Sequence, residues 1–145
     1  MAFMSSLNIS GSGLNVQRTR MNIISQNIAN AGTTRTEDGG PYRRKIVNIQ
    51  EDLANEFGVI LDDENNRYQV SGVAVAEIVD DPSALKPVYN PSHPDADENG
   101  YVMMPNVETT TEMVDIIEAS RAYQANVTAF NAMKLMASKA FDIGK

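Results

Sequence analysis

The chain of 145 residues contains no cysteine and no tryptophan. The lack of cysteine excludes disulfide bonds, thiolate catalysis and cysteine-bound zinc. Aromatic residues make up only 6% of the chain, although apolar residues as a whole reach 42%. Because large aromatic side chains supply much of a thick core, this composition favours narrow helical seams, in which the eight methionines act as fillers. The length suits a single domain.

Long apolar runs are also missing from the sequence. No run approaches the roughly 20 residues that a helix needs to span a bilayer. The first residues lack the charged start and the following apolar stretch of a cleaved secretion signal. We therefore expect neither a transmembrane helix nor a cleaved signal.

Residues suited to catalysis or metal binding are scarce. The only histidine, His93, lies in the proline-rich acidic segment NPSHPDADENG, whose spacing differs from that of a calcium loop. No acid/base pair and no activated nucleophile stands in a plausible site. We expect a protein that is not an enzyme and that uses no cofactor, metal or small-molecule substrate.

Acidic residues are absent from the first 34 positions, where Arg18 and Arg20 give a net charge of +2. Positions 35–105 hold fourteen acids and six bases, a net −8, and positions 106–145 have a net charge of −1. Nucleic-acid binding needs clustered Lys and Arg to neutralise phosphates. The acidic middle therefore argues against a nucleic-acid partner and indicates a solvated polar surface.

A heptad stripe runs along the N-terminal segment. It consists of one row of residues seven apart and a second row three residues on: Leu7, Leu14, Met21, Ile28, and then Ile24 and Ala31. The stripe predicts a helix from about Leu14 to Ala31 that Gly32 ends. The SGSG segment at Ser10–Gly13 weakens helix propensity, so we expect it to be helical only when it is packed.

The C-terminal segment has a longer stripe with spacings of three and four. Its members are Met113, Ile116, Ser120, Tyr123, Val127, Phe130, Ala137 and Phe141. Thr109 and Glu112 have the spacing of a capping box. The pattern predicts a helix of about 33 residues, a length typical of a coiled coil or a helical assembly.

The middle of the chain has a different pattern. Alternating apolar and polar residues predict strands at about Arg43–Gln50 and Val70–Val79, and a hairpin that turns near Glu64–Asn66. Positions 80–100 contain four of the six prolines and are predicted to be a loop. The strand start at Tyr42, Arg43 and Arg44 is either a solvated basic cluster or a docking site for an acidic surface of a neighbouring copy.

These elements predict a mainly α fold with a small β insert (α+β), in which the terminal helices pair as an antiparallel, coiled-coil-like hairpin. We expect positions 1–34 and 106–145 to form a discontinuous helical domain and positions 35–105 a small β-rich middle domain. Further apolar residues lie outside the seams and need cover from other copies or relatives: Ile23, Ile117, Met133, Leu135 and Met136. A soluble coiled-coil adaptor that binds one partner helix is the alternative.

Both ends of the sequence resemble a known family. LNISGSGLNVQRTRMNIISQNIANAGTTRT resembles the N-terminal motif of the axial proteins of the bacterial flagellum, and ETTTEMVDIIEASRAYQANVTAFNAMKLM resembles their C-terminal motif. The linking TTRTEDGGPYRRKIV resembles the C-type subunits of the proximal rod. The short middle agrees, since hook and distal rod proteins of this family carry much larger inserts.

The resemblance implies a structural subunit whose terminal helices pack into a tube around an export channel, with the middle domain further out. It implies export by the flagellar type III apparatus, assembly in the periplasm as part of the basal body, and transmission of torque. The implied partners are copies of the chain, sibling rod proteins, and the membrane-ring and export-gate proteins at the rod base.

We expect one set of residues at subunit interfaces, including two amides in SQNIANAGTT that bond to backbone at the helix end or on a neighbour. The set is Leu7, Leu14, Met21, Ile24, Asn27, Ile28, Asn30, Met113, Ile116, Tyr123, Val127, Phe130 and Phe141.

Overall fold

The computed structural model describes residues 2–37, 39–52 and 72–143. Two long helices, α1 (Ala2–Ala29) and α2 (Thr109–Ile143), lie at the ends of the chain. Between them, the described residues form four strands: β1 (Lys45–Glu51), β2 (Val73–Asp80), β3 (Lys86–Tyr89) and β4 (Tyr101–Met104). The mainly α fold with a small β insert is therefore confirmed. The hairpin predicted near Glu64–Asn66 lies outside the described residues.

The helices pair in an antiparallel arrangement with a constant register. Asn27 contacts Glu112 at one end, and Gly13 lies against Asn126 further along. These contacts are fourteen residues apart on each helix, from 27 to 13 and from 112 to 126. On α2 the buried and half-buried positions 112, 119, 126 and 133 repeat every seven residues, which is the spacing of a coiled-coil seam.

The seam on α1 differs from the predicted apolar row. The predicted residues Leu7, Leu14, Met21 and Ile28 are only half-buried, whereas the most buried positions include Ser10, Gly13, Ile24 and Asn27. A Cβ atom built on Gly13 would lie 3.1 Å from Nδ2 of Asn126. The backbones therefore approach closely through small residues, and the larger apolar side chains flank the seam.

The helix ends also depart from the sequence prediction. α1 begins at Ala2 and includes the whole SGSG segment, as expected for a glycine-containing stretch that is packed. It ends at Ala29, two residues before the predicted end, and a turn follows over residues 30–32. α2 has 35 residues, close to the prediction. The capping-box interpretation of Glu112 is wrong, because its carboxylate binds Asn27 and Arg44 rather than the helix N-terminus.

Two antiparallel ribbons make up the β structure of the part of the chain that the structure describes. β1 pairs with β2 from Lys45 opposite Asp80 to Glu51 opposite Val73, with a bulge between Asn48 and Ile49. Both strands lie within three residues of the predicted bounds. We refer to this pair as the β1–β2 ribbon.

The second ribbon corrects the prediction that positions 80–100 form only a loop. Lys86–Tyr89 is a strand that pairs with β4, from Lys86 opposite Met104 to Tyr89 opposite Tyr101. Pro87 lies inside β3, which a two-stranded ribbon tolerates because each strand has a free edge where no amide donor is needed. The rings of Tyr89 and Tyr101 pack edge to face with their centroids 5.3 Å apart.

Among the described residues the buried core is small, as the composition suggests. Its apolar members are Val16, Ile24, Tyr42, Val102, Val107 and Ala119. Within the described ranges, no helix is both long and apolar enough to cross a membrane.

Candidate assembly surfaces and the polar clamp

A buried polar cluster joins the two helices to the start of β1. Its centre is Asn27, which lies near the end of α1 and is 1% exposed. The amide Nδ2 donates to the backbone carbonyl of Lys45 at 3.0 Å and to the Glu112 carboxylate at 3.1 Å. Its Oδ1 accepts from the Tyr42 hydroxyl and from the Lys45 backbone amide, both at 2.9 Å. The side chain thus uses both donors and both acceptor sites of an amide.

Arg44 extends this cluster to α2. Its guanidinium makes an ion pair with Glu112 through Nε, and also lies 3.3 Å from the Asp115 carboxylate and 3.7 Å from that of Asp81. Its backbone amide donates to Oδ1 of Asn106 at 2.8 Å. We call Asn27, Tyr42, Arg44 and Glu112 the polar clamp, because they connect the end of α1, the start of β1 and the first turn of α2.

Burial and neighbouring charges shift the pKa values of Arg44 and Tyr42 in the clamp and of Asp81 beside it. Burial alone would lower the pKa of Arg44, but its hydrogen bond to Glu112 and the surrounding carboxylates more than offset this effect and raise it. Burial raises the pKa of Tyr42 above 10.0, and the negative charges of Asp80 and Glu112 add to the effect. Hydrogen bonds from Ser83 lower the pKa of Asp81, and Arg44 adds to this shift. Arg44 and Asp81 are therefore charged and Tyr42 is neutral near pH 7.

An open groove of about 410 Å³ runs beside the clamp. Its walls include Arg20, Ile23 and Ile49 as well as Arg44 and Glu112. No group of three or more metal-binding side chains lies together within the ranges that the structure describes. Because the polar groups of the clamp bind one another, the clamp acts as a structural joint between the two helices and β1.

Exposed apolar side chains lie near both ends of α2. Three are near its start and three near its end: Met113, Val114, Ile117, and then Leu135, Met136 and Phe141. Leu135 is 65% exposed and Phe141 is 78% exposed. The constant helix register puts residue 2 opposite Ala137, so the last residues of α2 extend past the start of α1. This end of α2 has no partner helix among the described residues.

The predicted interface residues fall into three groups by burial. Ile24, Asn27 and Tyr42 are buried in the chain, whereas Met113, Phe141 and Arg43 are exposed. The rest are half-buried: Leu7, Leu14, Met21, Ile28, Asn30, Arg44, Ile116, Tyr123, Val127 and Phe130.

The two amides of SQNIANAGTT behave differently. Asn30 donates to the Gln26 carbonyl at 2.9 Å, a backbone group at the helix end, as expected. Asn27 instead binds the backbone of β1 in the same chain, because the segment after the helix turns back and brings Lys45 beside it. This corrects its predicted bonding partner.

Sequence reasoning missed the part of the clamp on α2. Glu112 had a local explanation as a cap, and Asp81, Asn106 and Asp115 carried no motif. Glu112 lies in the helical seam seven residues before the buried Ala119, but the predicted stripe ran through Met113 and Ser120 and gave no signal of this. A charge there requires a buried partner.

Comparisons with known proteins agree with this architecture. The family model described as "Flagella basal body rod protein" matches residues 7–35, and "Flagellar basal body rod FlgEFG protein C-terminal" matches residues 98–143. The first match covers most of α1 and the turn after it, and the second covers α2 and the segment before it. Such a pair of terminal matches defines the class of flagellar rod proteins.

Full-length relatives define the family more narrowly. The flagellar basal-body rod protein FlgC of Bacillus subtilis is 44% identical over 97% of both chains. FlgC of Borreliella burgdorferi is 45% identical over 99% of this chain and 98% of its own. FlgC of Salmonella typhimurium is 39% identical over the full length of both. The chain belongs to the FlgC family, and it is a structural subunit of the rod in the flagellar basal body.

Proposed function

We propose that the chain assembles into the rod through its paired terminal helices, with copies of itself and sibling rod proteins as neighbours. The observation that carries the proposal is the set of exposed apolar side chains near the two ends of α2, which includes Ile117, Leu135 and Phe141. Clusters of exposed apolar side chains on a soluble chain mark surfaces that a partner covers. Burying them contributes about 25 cal/mol per Å² of apolar area, so many modest contacts add up to a strong assembly.

The end of α2 supports a heterologous mode of contact. Its last residues extend beyond α1 and present Phe141, so this end differs in shape and chemistry from the start of the helix pair. Contacts between unlike surfaces produce an open helical filament when the rotation between neighbours does not close a ring. The half-buried rows on α1 and α2, including Leu14 and Tyr123, complete the interface in this proposal.

The helical ends and the acidic middle of the chain have different roles in this proposal. Positions 1–34 and 106–145 form the tube, and the acidic positions 35–105 lie further out and keep free subunits soluble. The polar clamp joins these parts, because Arg44 and Lys45 belong to the middle but bind Asn27 and Glu112 of the helices. The Arg44–Glu112 ion pair thus links the middle of the chain to α2 in a subunit that transmits torque.

The remaining partners and the location come from the family resemblance. The chain is exported by the flagellar export apparatus without a cleaved signal and assembles in the periplasm. Membrane-ring and export-gate proteins meet it at the rod base. Its role is mechanical rather than enzymatic, with no small-molecule substrate and no nucleic acid.

A pair of matched variants tests assembly through the helices. Leu135→Glu places a charge on exposed α2, and Val88→Glu places one on exposed β3, where the side chain is 46% exposed. Each should change the free energy of unfolding by no more than about 0.5 kcal/mol, because neither site is buried. Purified hook–basal bodies should contain the Val88→Glu chain at the wild-type ratio and little of the Leu135→Glu chain.

Equal incorporation of both variants would contradict assembly through this part of α2.

Sedimentation of the free chain distinguishes a rod subunit from the alternative, a soluble coiled-coil adaptor. A soluble adaptor stays a discrete monomer or dimer at high concentration, and it is absent from complete basal bodies.

A further inference from the structure

The β1–β2 ribbon is attached to α1 at both of its ends. At one end, the Asn27 side chain binds both the amide and the carbonyl of Lys45, the first residue of β1. At the other end, the amide of Val73, the first residue of β2, donates to Oγ of Ser12 at 3.1 Å. Val73 pairs with Glu51, the last residue of β1. The two attachments therefore lie at opposite ends of the ribbon.

The distances along the helix and along the strand agree. Fifteen residues separate Ser12 from Asn27, which corresponds to about 22 Å of α-helix. The six steps from Lys45 to Glu51 correspond to about 20 Å of β-strand. The ribbon thus runs alongside α1 over more than half of the helix.

The contact at Ser12 is close and directional. Its hydroxyl donates to the Ile9 carbonyl at 2.8 Å, which leaves the oxygen lone pairs to accept from Val73. A Cβ atom built on Gly72 would lie 2.5 Å from Oγ and 3.1 Å from Cβ of Ser12. A side chain at position 72 would therefore force the Ser12 hydroxyl to rotate and the ribbon to shift by a few tenths of an ångström.

Ser12 lies in the SGSG stretch of α1, where the helix propensity is low. Gly11 and Gly13 flank it, and glycine weakens a helix because its backbone loses more freedom on folding. Gly13 is fixed by its close approach to Asn126. Helical structure in this stretch therefore depends on contacts from outside α1.

We infer that the β1–β2 ribbon is a splint for α1, held by Ser12 and Asn27 as positioning residues, and that it stays on the helix in the assembled rod. The splint keeps the SGSG stretch helical and fixes the direction in which the middle of the chain leaves the helix pair. The part that concerns the assembled rod rests on the proposed function, whereas the attachment itself concerns the free chain.

The attachment is tested by hydrogen exchange on the purified chain. Ser12→Ala keeps Cβ and removes the hydroxyl, and it should speed exchange at residues 8–16 by about tenfold. Thr19→Ala is the matched control, because the Thr19 hydroxyl bonds only to Asn15 within α1. Unchanged exchange in Ser12→Ala, or equal acceleration in Thr19→Ala, would overturn the splint.

A double-mutant cycle gives a second readout on the same contact. Gly72→Ala should lower Tm in the wild-type background and lower it less in the Ser12→Ala background, because the atom in conflict has been removed. An equal fall in Tm in both backgrounds would show that Ser12 and Gly72 are not in contact.

The assembled state is tested with a cysteine pair, which is unambiguous because the chain has no cysteine of its own. Ser12→Cys with Gly72→Cys puts two Cβ atoms within a few tenths of an ångström of disulfide geometry. Mild oxidation of purified hook–basal bodies should close this intrachain bond in most copies, as it should in the free chain. Each single-cysteine variant is the control.

The outcomes distinguish the attachment of the ribbon in the free chain from its persistence in the assembled rod. A bond that forms in the free chain but not in basal bodies means that the ribbon leaves α1 on assembly, and the splint inference is wrong. A bond that forms in neither overturns the attachment itself. If the wild-type chain is absent from basal bodies, the proposed function fails, and the exchange experiment still decides the attachment. If the wild-type chain is present in basal bodies and only the double-cysteine variant is absent, the exchange experiment on the free chain again decides whether the ribbon is attached.

Discussion

Glu112 and Asn27 meet across the helix pair, with a carboxylate oxygen 3.1 Å from the amide nitrogen. Both side chains are about 1% exposed, and neither is apolar. A buried carboxylate is stable only when it is paired and hydrogen-bonded. Arg44 supplies the charge and Asn27 supplies the second donor, so the register of the two helices is fixed where their ends join the insert.

We predict that Arg44→Ala destabilises the chain by about 2–3 kcal/mol. Removing one partner of a fully buried ion pair costs about 3–5 kcal/mol, because the remaining charge is left without compensation. Arg44 is a quarter exposed, which reduces the expected loss. Urea unfolding of the purified variant, followed by circular dichroism, measures the change.

Arg43→Ala is the matched control for this prediction. Arg43 is exposed and makes one long hydrogen bond, 3.4 Å, to the Asp81 carbonyl. Its loss should change stability by less than about 0.5 kcal/mol. Equal effects of the two arginines would contradict the role assigned to the ion pair.

We predict that Asn27→Leu destabilises the chain by about 3 kcal/mol and impairs motility. The substitution removes four hydrogen bonds and leaves polar groups of Lys45 and Tyr42 without their partner, at about 1 kcal/mol or more for each buried group. Thermal unfolding and swimming in soft agar are the measurements. Asn30→Ala, which removes the exposed hydrogen bond to Gln26 and the one that Oδ1 accepts from the Thr33 hydroxyl, should have much less effect on either. Normal motility in Asn27→Leu would contradict the prediction.

We predict that Tyr42→Phe costs about 1 kcal/mol near neutral pH, since it removes the hydrogen bond to Asn27. The pKa of Tyr42 is raised in the folded state, so the folded chain holds this proton more tightly than the unfolded chain. Its contribution is fully present below pH 10 and is lost as the pH rises through the folded pKa.

The difference in unfolding free energy between wild type and Tyr42→Phe should therefore narrow above pH 10. Urea unfolding at intervals from pH 8 to beyond pH 10 measures it, and Tyr89→Phe, at an exposed ring, controls for general alkaline effects. A constant difference over this range would show that the Tyr42 proton is not held by the clamp.

The sequence predicted the helix pair because apolar residues that repeat every seven positions are a local pattern. A stripe of this length is typical of paired helices. It failed where the partner is distant or the decisive property is small size. Glu112 finds Arg44 across 68 positions, and nothing local shows this. Gly13 is central to the seam because it lacks a side chain, whereas apolar periodicity selected Leu14. Pro87 concealed β3 because proline is rare in strands with neighbours on both sides.

The two helical glycines of α1 should respond differently to alanine. A Cβ atom at Gly11 would meet nothing within 4 Å, so Gly11→Ala gains the helix propensity of alanine without a clash. The expected gain is about 0.5–1 kcal/mol. At Gly13 the same atom would lie 3.1 Å from Nδ2 of Asn126, which donates to the Ala122 carbonyl and is held in place.

Gly13→Ala should therefore gain less than Gly11→Ala, or lose stability, because the helix pair must open slightly to admit the methyl group. Chemical unfolding of the two variants measures the order. Asn126→Ala in combination with Gly13→Ala should recover part of the difference, since it removes the atoms that the methyl group meets. If Gly13→Ala alone were as stabilising as Gly11→Ala, the close helix approach at this position would be wrong.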